Sequence, residues 1–407
     1  MKRVLYTILL LLTVWSGSAQ VSGQFRGGNN GQVRPSVDPD RQRAGDNVAP
    51  AVDSSEVGRV ADDSIYLFFG ESLNEDSVPA TTAFSVTGPY GSPAVSAVTV
   101  AGDTVIIRLA SDTYYGDTVE VSYIKPESNP LQDARGNQTA SWSGDTATNN
   151  VGFVTAYQTV YDAFTTKPSV TQSRYYNRRV KQLVDGGYWA RIDIFRFYAN
   201  HINSAGEAVV NWKNPALYAM TLFNAPTHTP DQGILFNGTT QYGDNNWVPS
   251  VSGVNFTQNS ASQILYIRTN VSANKGYGTQ LNADNKDYYI YPSSFAGNAV
   301  IKTNDATNVS IANANGSGLY INTRTAAAVN KLYRNGTAII NGTTASIGVP
   351  THSPYVGAYN DDNVAAGFRA DQVAIECWGS GFSEADVIGI TTILEAWMDD
   401  LGTGVIP

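Results

Sequence analysis

The sequence predicts an all-β protein built from two β-sandwich domains, with one helix at the start and one at the end of the second domain. Three observations lead to this prediction. The chain of 407 residues contains 37 glycines and 23 tyrosines, and only 15% of its residues are charged. Short runs of β-branched and aromatic residues recur between turn-forming residues. The dipeptide Asn335-Gly336 lies between two such runs, and it favours a type I′ turn between antiparallel strands.

Residues 1–19 have the pattern of a secretory signal peptide. Lys2 and Arg3 form a basic start, an apolar stretch follows, and Gly17-Ser18-Ala19 offers small residues for cleavage. We therefore expect a secreted or cell-surface protein with no membrane attachment after cleavage, and an uncleaved anchor is the alternative. Residues 20–48 contain few large apolar side chains, which predicts a flexible linker.

Charge and cysteine content exclude several classes of partner and chemistry. The formal net charge is −9, which argues against a nucleic-acid partner and against attachment to anionic lipid. The single cysteine, Cys377, excludes a disulfide within the chain. It lies in a predicted strand with no histidine nearby, so a buried, unreactive thiol is expected.

Residues 49–149 predict an Ig-like β-sandwich. Runs such as Ser64–Phe69 and Thr104–Leu109 predict strands, and turn residues recur between them. Residues 117–142 resemble the end of the SwmB-type Ig-like repeat of large bacterial surface proteins, through Asn-Pro-Leu-Gln-Asp at 129–133 followed by Gly-Asn. The resemblance implies a spacer or adhesive module without catalytic residues. Segment 133–137 has oxygen ligands suited to Ca²⁺, but a turn is the preferred interpretation.

Residues 150–407 predict a second, larger sandwich. After a connection over residues 150–168, a helix is expected from a cap at Thr171 to Gly186-Gly187. The basic run on this helix, residues 174–181, is interpreted as a solvated face rather than an anion site. About ten strands follow. A closing helix is expected from Ser383, with Asp386 in the capping-box position.

Three segments of this second region resemble the concanavalin A-like, laminin-G-like family. The hairpin around Asn335-Gly336 is similar to that family's "LYVNG" hairpin, with Leu332 and Ile339 expected on one face. Residues 233–242 are similar to its opening strand, and residues 368–375, followed by 382–387, are similar to its last strand and helix start. The resemblance implies a jelly-roll β-sandwich, as in bacterial surface and phage tail proteins.

The resemblance also implies glycosidase activity as a possibility, because some proteins with this fold are glycosidases. A retaining glycosidase needs two carboxylates roughly 5 Å apart. Glu384 and Asp386 stand at a predicted helix start, where carboxylates cap backbone amides, and Glu376 is alone on its strand. The sequence contains no metal-protease, nucleophile-elbow or nucleotide-binding motif. We therefore expect no enzymatic activity, with glycoside hydrolase as the second alternative function.

Recognition of a polysaccharide or cell-surface glycan is the leading hypothesis. Aromatic rings stack on sugars and amides bond hydroxyls, which makes Tyr242, Asn246, Trp247 and Asn360 the candidate ligand-binding residues. For Tyr242 and Trp247, a core position in the first strand and its turn is the preferred interpretation.

Asp361 and Asp362 are candidate Ca²⁺ ligands, with a turn as the alternative. The first alternative function is a structural subunit of an appendage, matrix or virion fibre that contacts itself or other surface proteins.

Overall fold

The computed structural model describes residues 47–273 and 276–407, and strands dominate both ranges. The all-β fold class is confirmed. The predicted signal peptide, and the predicted linker up to residue 46, lie outside the described residues.

The first part of the chain forms a seven-stranded arrangement in the order β3-β6-β7-β1-β2-β5-β4. Strands β1 and β7 pair in parallel, and the other neighbours pair antiparallel. The side chains between the strands form one apolar core around Leu67, Val105 and Val121. The strands are β1 Val52–Val57, β2 Ser64–Phe69, β3 Phe84–Thr87, β4 Val95–Ala101, β5 Thr104–Leu109, β6 Val119–Tyr123 and β7 Trp142–Asn149.

The rest of the described chain forms three further sheets. Their orders are β10-β11-β24-β13-β18-β19-β20 with β8 also paired to β24, then β21-β12-β9, and β17-β16-β15-β14-β22-β23. The strands are β8 Ile192–Phe197, β9 Thr221–Phe223, β10 Thr227–Thr229, β11 Gly233–Leu235, β12 Tyr242–Asp244, β13 Ala261–Ile267, β14 Tyr277–Gln280, β15 Asp287–Tyr291, β16 Asn298–Asp305, β17 Val309–Ala312, β18 Gly318–Ala326, β19 Val329–Arg334, β20 Thr337–Gly342, β21 Tyr355–Val356, β22 Tyr359–Asp361, β23 Val364–Ala366 and β24 Gln372–Gly379.

The sheet that contains β8, β13 and β24 has eight strands and is covered on both faces. One face packs against helices through a cluster that includes Tyr176, Phe197 and Trp397. The other face packs against the remaining sheets through a cluster that includes Leu265 and Ile290. The central strand β13 is therefore buried along its whole length, as expected for a strand with both faces covered.

Four α-helices are present in the described residues: α1 Thr155–Ala163, α2 Val170–Asp185, α3 Pro249–Ser252 and α4 Glu384–Asp400. The sequence prediction missed α1, which lies within the expected connection. It also placed the cap of α2 wrongly at Thr171, because Ser169 forms the capping box with Gln172. The capping box of α4, formed by Ser383 and Asp386, is confirmed.

The hairpin β19–β20 confirms the predicted turn. Asn335 and Gly336 have φ angles of 52° and 79°, the left-handed pair that a type I′ turn requires. The expectation that Leu332 and Ile339 share a face was wrong by one residue. A β-bulge between Leu332 and Tyr333 places Ile340, rather than Ile339, opposite Leu332, since a bulge adds one residue to one strand.

Two smaller predictions are also confirmed. Segment 133–137 is a turn, because Asp133 Oδ1 accepts hydrogen bonds from the backbone N–H groups of Arg135 and Asn137, and Gly136 has a φ angle of 86°. Cys377 is a free, buried thiol.

The sequence predicted that the basic face of α2 is solvated. In the structure, this face packs against the seven-stranded arrangement instead. The guanidinium carbon of Arg178 lies 3.6 Å from the ring centroid of Tyr90 and 4.2 Å from that of Tyr114. The Arg178 Nη1 atom lies 3.6 Å from Asp117 Oδ2. Lys181 Nζ pairs with Asp112 Oδ2 at 2.9 Å. These contacts, here called the α2 joint, connect the two regions, and residues Asn47–Pro407 form one structural unit.

Candidate functional site

The sheet β21-β12-β9 places aromatic side chains on one outer face. Tyr242 lies opposite Phe223 in the antiparallel pair of β12 and β9, and Asp244 lies opposite both Thr221 and Tyr355. Paired residues in a sheet point to the same side, so these five side chains share a face. The intervening residues Leu222, Gly243 and Val356 face the core, where Val356 is fully buried.

The rings on this outer face are stacked across the strands. The Phe223 and Tyr242 centroids are 4.4 Å apart with planes 4° from parallel, and Tyr355 follows at 4.9 Å from Tyr242. Phe368 contacts Tyr242 edge-on at 6.2 Å. We call Phe223, Tyr242, Tyr355 and Phe368 the aromatic face. It ends at β9, an edge strand, where Phe223 is 38% exposed.

Polar groups surround the aromatic face. Asn246 is exposed, and its Nδ2 donates to the Ala219 carbonyl oxygen at 2.7 Å and to Thr221 Oγ1 at 2.8 Å. Ser353 Oγ donates to Asp244 Oδ1 at 2.5 Å. Burial raises the pKa of Tyr242, and the Asp244 carboxylate raises it further. The Tyr242 hydroxyl therefore keeps its proton at neutral pH and is able both to donate and to accept a hydrogen bond.

Two of the predicted ligand-binding residues lie in this face or at its edge, and two lie elsewhere. Tyr242 and Asn246 are together on the outer side. Trp247 is 1% exposed and packs against Phe256 and Trp378. Asn360 is 1% exposed, and its Nδ2 donates to the Ser353 carbonyl oxygen. Trp247 and Asn360 therefore have no surface that a sugar in solution could contact.

The alternation of buried and exposed residues along this segment explains why Tyr242 is partly exposed and Trp247 is buried. From residue 242 to residue 248, every odd-numbered residue is buried and every even-numbered residue is exposed or partly exposed. A period of two is the signature of extended chain beside a core. This parity places Tyr242 on the outer side and Trp247 in the core. The sequence did not reveal Phe223 and Tyr355, because their strands pair with residues that are far apart in sequence. Phe368 lies between β23 and β24 and contacts Tyr242 only in the folded chain.

Asp361 and Asp362 contact a neighbouring loop. Asn282 Nδ2 donates to Asp361 Oδ1 at 3.2 Å and to Asp362 Oδ2 at 2.7 Å, and the Asn282 backbone N–H donates to Asp362 Oδ1. Tyr359 donates its hydroxyl to Asp361 Oδ2. Among residues 47–273 and 276–407, no group of three or more His, Cys, Asp or Glu side chains is arranged to hold a metal ion. Ca²⁺ binding at this pair stays a prediction, which calorimetric titration with CaCl₂ checks.

The carboxylates considered for catalysis are engaged in structural contacts. Glu376 is fully buried and accepts hydrogen bonds from Tyr198, Asn245 and Trp378. Asp386 pairs with Arg191 at 2.8 Å and caps α4. Glu384, the third carboxylate considered, is 64% exposed and lies 3.6 Å from Lys331 Nζ.

Residues 45–128 match the family model of the SWM repeat, described as "Putative flagellar system-associated repeat". The match supports the resemblance of the first region to the SwmB-type repeat, and it covers a minor part of the chain. No curated protein sequence matches the chain. Within the described residues, no helix is both long enough and apolar enough to span a membrane.

Several solved structures share limited similarity with the chain. The N-terminal part of the bacterial S-layer protein SbsC is 20% identical over 25% of this chain and 24% of its own, with a TM-score of 0.21. The binding domain of botulinum neurotoxin serotype D is 12% identical over 50% of this chain and 51% of its own, with a TM-score of 0.37.

A third structure is domain 4 of an extracellular arabinanase from Geobacillus stearothermophilus, in complex with arabinotriose. It is 12% identical over 49% of this chain and 98% of its own, with a TM-score of 0.34. At such scores none of the three likenesses carries an argument about function.

Proposed function

We propose that this protein is a non-catalytic, glycan-binding protein of the cell surface, exported by the signal-like segment 1–19. Residues 49–149 act as an Ig-like spacer, and residues 150–407 form a laminin-G-like, concanavalin A-like domain that binds the glycan. The description of the SWM repeat as associated with a flagellar system fits a surface location.

The observation that carries the proposal is the Phe223–Tyr242 stack at an open sheet edge. A phenyl ring that is 38% exposed beside a parallel ring 4.4 Å away offers a flat apolar surface. The C–H face of a pyranose packs on such a surface, while the ring hydroxyls bond to neighbouring amides and hydroxyls. Asn246 and the Tyr242 hydroxyl supply those polar groups at the rim.

A glycan array with the full mature chain tests the proposal, followed by calorimetric titration with the best oligosaccharide. Phe223→Ala removes the outer ring, and we expect the affinity to fall about tenfold or more, since a stacked ring contributes about 1–2 kcal/mol. Phe295→Ala is the matched control, because Phe295 is 71% exposed between β15 and β16, outside the sheet β21-β12-β9. Equal affinities of both variants and the wild type would reject the aromatic face as the site.

A structural-subunit role is the second candidate, and β4 favours it. This edge strand of the seven-stranded arrangement has the sequence VSAVTVA, without charge or proline. Uncharged edge strands of this length are able to pair with another chain. Light scattering after size exclusion tests it: self-association that Thr99→Lys abolishes would favour this role, and a monomer at all concentrations would oppose it.

A further inference from the structure

A groove opens in the seven-stranded arrangement, far along the chain from the aromatic face. Strands β1 and β7 pair in parallel only at Glu56–Thr148 and Val57–Asn149. Their opposite ends diverge, because β1 continues alongside β2 and β7 continues alongside β6. The space between the two ends has a volume of about 590 Å³ and is lined by residues 49–52 and 139–145. Small-molecule sites have volumes of about 300–1,000 Å³.

Trp142 forms part of this groove. Its ring packs on Tyr123, with centroids 4.7 Å apart. The side chain is partly exposed, whereas the other five tryptophans of the described residues are buried. The groove thus holds an indole ring that is supported from behind and accessible in part, which is the arrangement needed for a stacking surface.

Three buried polar atoms of the groove lining have no hydrogen-bond partner within the described residues. They are Thr139 Oγ1, Trp142 Nε1 and Asp145 Oδ2. Thr139 is 3% exposed. These three atoms are closed to solvent, so a ligand in the open groove reaches other polar groups of the lining. Those groups are the exposed hydroxyls of Ser141 and Ser143 and the partly exposed carboxylate of Asp145.

The lining restricts the chemistry of such a ligand. Residues 49–52 and 139–145 include one carboxylate and no lysine, arginine or histidine, which disfavours an anion. Ala49, Pro50, Ala51 and Val52 give an apolar wall opposite the hydroxyl-bearing segment around Ser141 and Ser143. A molecule with C–H faces and several hydroxyl groups, each able to donate and to accept, matches both sides of the groove.

We propose that this groove, here called the Trp142 groove, is a binding site for a neutral saccharide. The pyranose ring stacks on the partly exposed indole of Trp142, and its hydroxyl groups bond to the hydroxyls of Ser141 and Ser143 and to the carboxylate of Asp145. The site belongs to the SWM-like region, which therefore binds ligand as well as separating the second region from the surface. This proposal is independent of glycan binding by the aromatic face.

The test follows the indole N–H signals of the full mature chain, labelled with ¹⁵N, during titration with neutral oligosaccharides of glucose, N-acetylglucosamine, mannose and arabinose. The signal absent from Trp142→Phe belongs to Trp142. We expect it to shift saturably with at least one of these probes. Asp145→Ala should weaken the binding about tenfold, as expected for one lost charge-assisted hydrogen bond, without changing the other indole signals.

Two control variants separate this site from the rest of the molecule. Thr146→Ala alters an exposed residue of β7 outside the lining, and it should bind as the wild type does. Phe223→Ala should also leave the Trp142 shift unchanged, because it alters only the aromatic face. The proposal is overturned if no oligosaccharide shifts the Trp142 signal at about 10 mM, if only extended peptides shift it, or if Asp145→Ala binds normally.

Discussion

The α2 joint should depend on one side chain, and Arg178→Ala is the change that tests it. The guanidinium of Arg178 lies between the rings of Tyr90 and Tyr114, at 3.6 Å and 4.2 Å from their centroids, and 3.6 Å from a carboxylate oxygen of Asp117. The side chains of Arg178 and Asp117 are only 13% and 7% exposed. Removing the cation therefore leaves Asp117 as a buried charge without its ionic partner.

The loss of stability that we expect from Arg178→Ala follows from these contacts. Two partly desolvated cation–π contacts contribute about 1–2 kcal/mol together. Removing one partner of a buried ion pair costs about 3–5 kcal/mol. We take a cost below about 3 kcal/mol here, because the 3.6 Å between Arg178 Nη1 and Asp117 Oδ2 is longer than a hydrogen-bond distance. The sum is a loss of about 3 kcal/mol from the free energy of unfolding. For a unit the size of the seven-stranded region, about 1 kcal/mol corresponds to roughly 4–8 °C in Tm.

Differential scanning calorimetry is the assay. We expect the variant to unfold in two transitions, with the seven-stranded region unfolding first and at least about 10 °C below the wild type. Arg108→Ala is the matched control, since Arg108 pairs with Asp63 on the surface and is 50% exposed; it should cost under about 1 kcal/mol. If Arg178→Ala unfolds in one transition at the wild-type temperature, the joint does not hold the two regions together.

The pH dependence of this variant gives a second check. Burial raises the pKa of Asp117, and the Arg178 guanidinium opposes that rise. A carboxyl group with a raised folded-state pKa takes up its proton in the folded state first, so acidification toward the ordinary value of 3.8 adds stability. Without Arg178 this gain becomes larger. The stability difference between variant and wild type should therefore shrink as the pH falls from about 7 to about 4.

Three other changes test the fold and its titration. Gly336→Ala should lower the free energy of unfolding, measured with urea, by about 1–2 kcal/mol, because its φ of 79° is unfavourable for a residue with a Cβ. An unchanged free energy of unfolding would contradict the type I′ turn. Trp397→Ala should cost about 3–5 kcal/mol, since the fully buried ring stacks on Phe197 at 4.2 Å, whereas Ile388→Ala on the exposed side of the same helix should cost under about 0.5 kcal/mol. Burial lowers the pKa values of His201 and His228 below the ordinary 6.5. As the pH falls through 6.5, the unfolded chain therefore takes up protons first, and the free energy of unfolding decreases. Replacing both histidines with glutamine should flatten this decrease, and an unchanged slope of the free energy of unfolding against pH would assign the decrease to other groups.

Local rules predicted the elements that depend on neighbouring residues. The Asn335-Gly336 turn and the capping box at Ser383 each require a few adjacent side chains, and both were found from sequence. The bulge that moves Ile340 into the core was not, because register inside a hairpin also depends on how the strands pack on the rest of the sheet.

Contacts between distant residues account for most of what the sequence did not reveal. The basic run on α2 was interpreted as solvated, since nothing near Arg178 in sequence indicates that Tyr90 and Asp117 will meet it. The aromatic face likewise combines Phe223, Tyr242 and Tyr355 from three short strands. Strands of two or three residues give almost no periodic pattern, so only Tyr242 was identified in advance.

The α2 joint also predicts how the two proposed saccharide sites act together. A joint that fixes the two regions holds the aromatic face and the Trp142 groove at a constant separation, and one long polysaccharide chain that reaches both sites then binds with a high effective concentration at the second site. Arg178→Ala removes that constraint without altering either site. Its affinity for short oligosaccharides should equal that of the wild type, while its affinity for the parent polysaccharide should fall toward the value for a single site. Surface plasmon resonance with both ligands measures the two affinities. An equal loss for short and long ligands would mean that the substitution damages a site, and no loss for either would mean that the two sites bind separate chains.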